Sequence, residues 1–130
     1  MTIQIIPVEY IARAWTDGAR KLGDAMRRND VECTPQQLKM RLMRGELILL
    51  HLPPDAWAAV SFVNYPNSRA LDIVAAYGPG ETTPETFAEL REFAERGGAT
   101  MIECAGDEAA TRLYLKLGFE LAYCKLRMKL

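Results

Sequence analysis

The chain has 130 residues, 49% of them hydrophobic, which predicts one globular domain over residues 1–130 and no room for a second. Sixteen basic and seventeen acidic residues leave a net charge of -1, so no global field attracts nucleic acid or an anionic membrane surface. Three cysteines without a CxxC pair, one histidine and no apolar run of about 18 residues predict a soluble cytoplasmic protein without a metal site or a membrane span.

The first part of the chain predicts one strand and two helices. The β-branched stretch "TIQII" predicts a strand that stops at Pro7. Apolar residues recur at helical spacing from Tyr10 to about Arg28, which predicts one amphipathic helix. In "TPQQLKMRLMRG" a Thr34 cap precedes a proline at the first helical position, and Gly45 predicts the end of this second helix.

The middle of the chain predicts three strands and a helix. "ELILLHL" and "AWAAVSFVNYP" each end at a proline and predict two strands paired as a hairpin. "ALDIVAAY" alternates apolar residues and predicts a third strand, which ends at Tyr77. After a loop, apolar residues at helical spacing predict a helix that reaches Gly97.

The last part predicts a buried strand, a helix and a closing strand. "TMIECAG" is short and apolar, "DEAATRLYLKLG" has one apolar face and a glycine stop at Gly118, and "FELAYCKLRMKL" alternates. The predicted element order is therefore β-α-α-β-β-β-α-β-α-β, which indicates an α/β fold with a mixed sheet.

The stretch "DEAATRLYLKLGFE" resembles the GNAT superfamily of acyl-CoA-dependent N-acetyltransferases. The residues that carry the resemblance are Asp107, where the family has asparagine, and Ala110, Tyr114, Gly118 and Phe119. The resemblance implies a GNAT-like mixed central sheet. In it, the strand that ends near Tyr77 and the strand around Ile102 are adjacent, parallel and splayed at their carboxyl ends.

The same resemblance implies a catalytic role for Tyr114, because the family commonly has at this place a phenol that protonates the leaving CoA thiolate. A tyrosine on a helix that faces a sheet is also an ordinary core residue, and this alternative stays open. Asp72 and Glu103 are the candidates for a general base, or simply polar residues of half-buried strands.

The loop "YGPGETTPETF" corresponds to the family's RxxGxG/A pyrophosphate loop but departs from it. The arginine is absent, Pro79 lacks an amide donor, and Glu81 stands where a glycine would face the anion. A like-charge contact at about 4 Å costs on the order of 4 kcal/mol before screening, so the loop should repel CoA. We interpret "TTPE" as an internally capped helix start, with Glu85 either closing a capping box with Thr82 or complementing the helix dipole. If CoA binds nevertheless, the resemblance assigns it to Tyr77, Gly78, Gly80, Thr82 and Thr83.

Two further segments of the sequence indicate which partners the protein binds. "CKLRMKL" alternates Lys125, Arg127 and Lys129 with apolar residues, which is typical of a solvated strand face, a docking strip or a place to add a subunit. The segment "WTDGARKLGDAMRRNDVECTPQQLKMRLMRGELILL" resembles the opening of small GNAT-like proteins of tailed bacteriophages, some of which are virion components.

Three functions remain open at this stage. The first is a catalytically silent module without a cofactor, which binds itself or other proteins, in the cytoplasm or in a phage particle. The second is an active acetyl-CoA-dependent N-acetyltransferase, and the third is a binder of another small ligand in the same cleft.

Overall fold

The computed structural model describes residues 3–25, 32–78, 83–106 and 108–130 of the chain. The strands formed by these residues are β1 (Gln4–Ile6), β2 (Ile48–Leu52), β3 (Ala56–Tyr65), β4 (Ser68–Tyr77) and β5 (Met101–Cys104). The helices are α1 (Ile11–Ala14), α2 (Lys21–Ala25), α3 (Pro35–Met43), α4 (Pro84–Arg96) and α5 (Glu108–Lys116). A 3₁₀ turn (Val8–Tyr10) precedes α1, and a π-helical turn (Trp15–Ala19) separates α1 from α2.

The strands form one mixed sheet in the order β1-β2-β3-β4-β5. Neighbours from β1 to β4 are antiparallel, and the longest ladder joins β3 to β4 from Trp57↔Tyr77 to Tyr65↔Ser68. β4 and β5 are parallel. The predicted α/β class with a mixed sheet, the β2–β3 hairpin and the parallel β4–β5 pair are confirmed.

The sheet has a hydrophobic core on each face. Successive residues of a strand point to opposite faces, so Leu49 belongs to the core under α1, α2 and α3, whereas Leu50 belongs to the core that includes Ala94 of α4. Leu71 and Ile73 of β4 lie in this second core. Asp72, which lies between them in β4, therefore points to the opposite face of the sheet, the one covered by α1, α2 and α3.

The single helix predicted from Tyr10 to about Arg28 is wrong in one respect, because the helix is broken at Gly18. Gly18 has an extended backbone with φ 165, which is not helical. A Cβ atom on this residue would lie 3.1 Å from the Trp57 indole nitrogen, so the close approach of that ring explains the glycine. Helical spacing of apolar residues continues through the break and could not reveal it. The predicted end near Arg28 lies outside the described residues.

The second helix begins and ends as the sequence predicts. Thr34 is the N-cap of α3, and Pro35 is its first residue. The Gln37 amide donates to Thr34 Oγ1 at 3.3 Å, while the Thr34 amide donates to Gln37 Oε1 at 2.9 Å, which forms a reciprocal capping box. Gly45 follows the helix with φ 75, the left-handed conformation that glycine adopts readily.

The closing strand predicted for "FELAYCKLRMKL" is not formed. Residues 119–130 carry no strand assignment and join no ladder of the sheet. The segment is attached at its start, where the Phe119 ring lies 4.9 Å from Tyr114 and 5.5 Å from Phe87. An alternating sequence defines two faces of a strand but does not supply a neighbouring backbone to pair with, which is why the pattern alone was insufficient.

Helices in the described part of the chain are too short or too polar for any of them to cross a lipid bilayer.

Candidate functional site

A cleft opens where β4 and β5 separate. Their pairing ends at Ile73↔Cys104, although β4 continues to Tyr77. Beyond this last pair lies a cavity of about 600 Å³. Its wall includes residues 73–76 of β4, Cys104 of β5 and the two residues that follow β5, Ala105 and Gly106. Other residues that line the cavity are Asp24 and Ala25 of α2, Ala110 and Tyr114 of α5, and Glu32, Lys125 and Arg127.

Tyr114, the predicted general acid, lies at this cavity. It is half-buried and packs against the second core, with the Phe119 ring beside it. Burial raises the pKa of Tyr114 to about 12, and nearby Cys104 adds to the rise. The phenol is therefore protonated at neutral pH, which both a core tyrosine and a proton donor require.

Cys104 lies beside Tyr114 at the end of β5. Burial raises the pKa of the Cys104 thiol to about 11, with smaller effects from Asp72 and Glu103. A thiol with this pKa carries almost no thiolate at neutral pH, so Cys104 does not have the properties of a nucleophile.

Asp72 and Glu103, the predicted base candidates, are paired across β4 and β5. Burial raises the pKa of Asp72, the Glu103 carboxylate raises it further, and Arg41 of α3 opposes the change. The Tyr65 hydroxyl donates to Glu103 Oε1. Neither carboxylate lines the cavity, and alternation along β4 places Asp72 on the face opposite to Tyr114.

The start of α4 is capped by the protein itself. Thr83 is the N-cap, and its Oγ1 accepts from the Thr86 amide at 3.2 Å. Thr86 Oγ1 accepts from the Thr83 amide at 3.0 Å. The predicted internal cap is thus present, but Thr86 closes the box in place of Glu85, because a cap at Thr83 makes Thr86 the third helical residue. Glu85 lies in the first turn, as the dipole alternative required.

Two of the other residues assigned to CoA, Tyr77 and Gly78, lie in the described part of the chain. Tyr77 packs against the first core, and the Lys21 ammonium lies 5.4 Å from the centre of its ring. Neither Tyr77 nor Gly78 lines the cavity. Gly80 and Thr82 lie outside the described residues.

An ion-pair cluster at the rim of the cleft was not predicted. Arg127 donates to Glu32 Oε1 at 2.5 Å, and Lys125 Nζ lies 3.7 Å from the same oxygen. The hydrogen bond from Arg127 holds the pKa of Glu32 below its ordinary value. The alternation of basic residues was visible in the sequence, but nothing local indicated that Glu32 would be their partner.

A smaller cavity of about 260 Å³ lies between α1 and the β2–β3 hairpin. The ring of His51 stacks on Trp57 in its wall, with 3.9 Å between ring centres. His51 Nε2 lies 3.1 Å from the Pro54 carbonyl oxygen. The described residues contain no group of three or more metal-ligating side chains placed to hold an ion.

No family model and no curated protein matches this sequence. Solved structures of similar fold include a ribosomal-protein-alanine N-acetyltransferase from Brucella melitensis biovar Abortus 2308, with 11% identity, TM-score 0.68 and 100% of both chains covered. A predicted acetyltransferase with acetyl-CoA from Clostridium acetobutylicum is 15% identical, with TM-score 0.61 over 98% of this chain and 94% of its own. A transcriptional regulator from Bacillus halodurans C-125 is 18% identical, with TM-score 0.61 over 99% of each chain.

These neighbours establish the fold of the chain, which is that of the GNAT acetyltransferases. At such low identity the likeness concerns the fold alone. The function has to be argued from the cleft.

Proposed function

We propose that this chain is a catalytically silent binding module with an acetyltransferase fold, which has kept the cleft between β4 and β5 but lost the anchor for a CoA pyrophosphate. The observation that carries the proposal is the internal capping of α4 by Thr83 and Thr86. The start of a helix binds phosphate through amide groups that the helix itself leaves without partners.

Few such amides remain at the start of α4. Pro84, the first helical residue, has no N–H group. The Thr86 amide is bonded to Thr83 Oγ1, and the Thr83 amide to Thr86 Oγ1. Among the first three helical residues this leaves the backbone amide of Glu85. The side chain of this residue is a carboxylate, which repels a phosphate. A phosphate at this helix would meet one donor and an adjacent carboxylate.

The cations at the cleft do not replace the missing arginine. Lys125 and Arg127 both lie against the Glu32 carboxylate, so an incoming phosphate would have to compete with a charge already in place. The sequence of the preceding loop adds Glu81 and contributes no cation between Gly78 and Thr83. Both features disfavour a ligand with several negative charges.

Calorimetry with acetyl-CoA tests the proposal. The unmodified protein should give no saturable heat at about 1 mM ligand, which corresponds to a binding free energy weaker than about -4 kcal/mol. A variant with Gly78→Arg, Pro79→Gly, Glu81→Gly and Thr83→Gly restores the arginine and glycines of the family loop and should bind measurably. The single variant Thr83→Gly is the control for loss of the cap. Micromolar binding by the unmodified protein would overturn the proposal.

The open cleft favours a second candidate, an acetyl-CoA-dependent N-acetyltransferase. A cavity of about 600 Å³ can admit an extended ligand, and the residues of β4 that line it are Ile73, Val74, Ala75 and Ala76. In this case the amine would attack the acetyl carbon and lose a proton to solvent, and Tyr114 would give its proton to the thiolate as the carbon–sulfur bond breaks. Tyr114→Phe should then abolish acetyl transfer to an amine library while leaving acetyl-CoA binding intact.

For the biological setting we propose an accessory protein of a tailed bacteriophage, present in the particle or in the infected cell. Support comes from the resemblance of the N-terminal segment to phage-encoded proteins. Mass spectrometry of purified particles, made by a phage that encodes this chain, tests the particle location. Its absence from particles while it is present in the lysate would restrict the protein to the cell.

A further inference from the structure

The smaller cavity, of about 260 Å³, is separate from the cleft. It lies where α1 and the π-helical turn pass over the β2–β3 hairpin, and none of the described residues lines both cavities. Its volume is below the roughly 300–1,000 Å³ of sites that hold drug-sized molecules. A ligand here would therefore be a small molecule of about the size of an amino acid, and it would leave the cleft open.

Trp57 brings an unpartnered hydrogen-bond donor to this cavity. Its side chain is only 6% exposed, and its indole Nε1 donates to no described residue. In the described part of the chain no side-chain nitrogen or oxygen is both inaccessible and without a partner, so Nε1 keeps access to solvent. The nitrogen lies beside Gly18, where a Cβ atom would be 3.1 Å from it, and both residues line the cavity. The donor therefore opens into the cavity, where an acceptor on a ligand completes its hydrogen bond.

The indole that carries this donor is held in place by its neighbours. Trp57 pairs with His51 of β2 on one side and with Tyr77 of β4 on the other. The His51 ring stacks on the indole with 9° between the two ring planes. His51 Nε2 in turn donates to the Pro54 carbonyl oxygen at 3.1 Å. Because the donor is already ordered, a ligand does not have to immobilise it on binding, which favours affinity.

Four charged side chains line the cavity, two of each sign. Arg13 and Lys21 are the cations, and Asp17 and Asp55 are the carboxylates. Arg13 Nε lies 3.9 Å from Asp17 Oδ2 in an exposed pair, which contributes little. Lys21 and Asp55 form no ion pair with any residue that the structure describes. A phosphate or a metal ion would meet two charges of its own sign, so the lining disfavours both.

We propose that this cavity binds a small zwitterion of the α-amino-acid type, with its carboxylate bound by Lys21 and the Trp57 indole nitrogen and its ammonium bound by Asp55. Such a molecule carries one charge of each sign and an acceptor for the free donor. Ile6 and Ala14, which also line the cavity, offer apolar contact to its side chain. The proposal concerns a second site and does not depend on whether acetyl-CoA binds in the cleft.

Nuclear magnetic resonance of the unmodified protein tests the site directly. The chain has two tryptophans and hence two indole N–H signals, which the variant Trp15→Phe assigns. The probes are L-leucine, L-glutamine and L-phenylalanine. At least one should shift the Trp57 signal saturably, with a dissociation constant below about 1 mM, and leave the signal of Trp15, which does not line the cavity, in place. No shift of the Trp57 signal with any of the three at about 10 mM would overturn the proposal.

Analogues that lack one charge test why the ligand binds. For L-leucine these are isocaproate, which lacks the ammonium group, and isopentylamine, which lacks the carboxylate. Each should bind about 10-fold more weakly than the amino acid, or weaker still, because it leaves Asp55 or Lys21 without a partner. An analogue that binds as tightly as the amino acid would overturn the assignment to a zwitterion.

A pair of substitutions tests the residues. Lys21→Gln with Asp55→Asn removes one charge of each sign from the lining and should weaken binding of the amino acid by about 10-fold or more. Lys39→Gln with Glu120→Gln is the matched control, since it changes the same charges at residues that do not line the cavity and should leave binding unchanged. Circular dichroism verifies that both variants are folded. Equal affinity in the first variant and the unmodified protein would contradict the proposal, because neither charge would then contact the ligand.

Discussion

The molecule is divided into a well-packed region up to β4 and a C-terminal region with little core of its own. The largest fully buried side chains are Ile11, Leu22, Leu38, Leu42, Leu49, Leu50, Val60 and Leu71. Among the described residues after Ala99 none is buried, and α5 has no buried residue. The comparison teaches that the buried core, and with it most of the stability, resides in the first of these regions. The first region has fully buried side chains, whereas the described side chains of the second are half-buried or exposed.

The largest expected effect is in the packed region. Leu38→Ala removes a side chain that is 0% exposed in the first core, and should lower the free energy of unfolding by about 2–5 kcal/mol. Leu115→Ala, in α5, removes a side chain of the same type that is 45% exposed and should cost less than about 1 kcal/mol. Urea unfolding measures both. Equal losses would contradict the division.

A substitution where the end of α4 packs on the sheet should have a somewhat smaller effect on the free energy of unfolding. A Cβ atom on Gly97 would lie 2.1 Å from a ring atom of Phe62, so Gly97→Ala forces the ring to move and should cost about 1–3 kcal/mol. Gly118, by comparison, has no atom within 4 Å of such a Cβ but has φ 101, and Gly118→Ala should cost about 1 kcal/mol. The same urea unfolding experiment compares the losses of unfolding free energy caused by the two substitutions. A larger loss at Gly118 would indicate that the end of α5 is held more firmly than its exposure suggests.

The two threonine caps should have similar and moderate effects. Thr34→Ala and Thr83→Ala each remove an N-cap hydroxyl and should cost about 1 kcal/mol. Thr83→Ala also removes the side-chain acceptor of the Thr86 amide at the start of α4, which Thr34→Ala does not. Calorimetric unfolding compares their stability, and a stability loss at one cap alone would show that the two helices depend on their caps unequally.

The smallest effect concerns pH. Burial, together with Glu103, raises the pKa of Asp72 in the folded protein, with Arg41 opposing. An acid with a raised folded pKa contributes stability that is complete below its unfolded pKa and is lost as the pH rises through the folded pKa. Asp72→Asn should therefore match the unmodified protein near pH 3 and exceed it at pH 7. The gain should be below about 1 kcal/mol because water screens this half-exposed site.

Denaturant unfolding at both pH values measures this difference, with Asp55→Asn as a control for the change in net charge. A variant that is less stable at pH 7 would show that the Asp72 carboxylate makes a favourable contact.

Much of the fold could be predicted because its signals are local. Proline and threonine at a helix start, as at Thr34 and Pro35, determine the cap through atoms a few residues apart. The alternation in β4 likewise predicted three of its buried residues, Leu71, Ile73 and Ala75. The parallel pairing of β4 with β5 came from the resemblance to a known family and not from the pattern.

The features that the sequence did not predict depend on contacts between residues far apart in the chain. The break at Gly18 is explained by the Trp57 ring, which lies far away in the sequence. Residues 119–130 join no ladder of the sheet, and local alternation cannot reveal whether a neighbouring backbone is available. The cluster of Glu32 with Lys125 and Arg127 joins residues that are as much as 95 positions apart in the sequence. The predicted role of Tyr114 as an acid stays a prediction.

The most direct test of the central claim is the thermal stability of the unmodified protein in acetyl-CoA. A ligand that binds with a dissociation constant of about 10 μM adds about 2.7 kcal/mol to the free energy of unfolding at about 1 mM. For a domain of this size such a gain raises the melting temperature by roughly 10 °C. With its helix start capped by Thr83 and Thr86, the protein should show no shift. A rise of several degrees that saturates with acetyl-CoA would contradict the account and make the acetyltransferase the leading function.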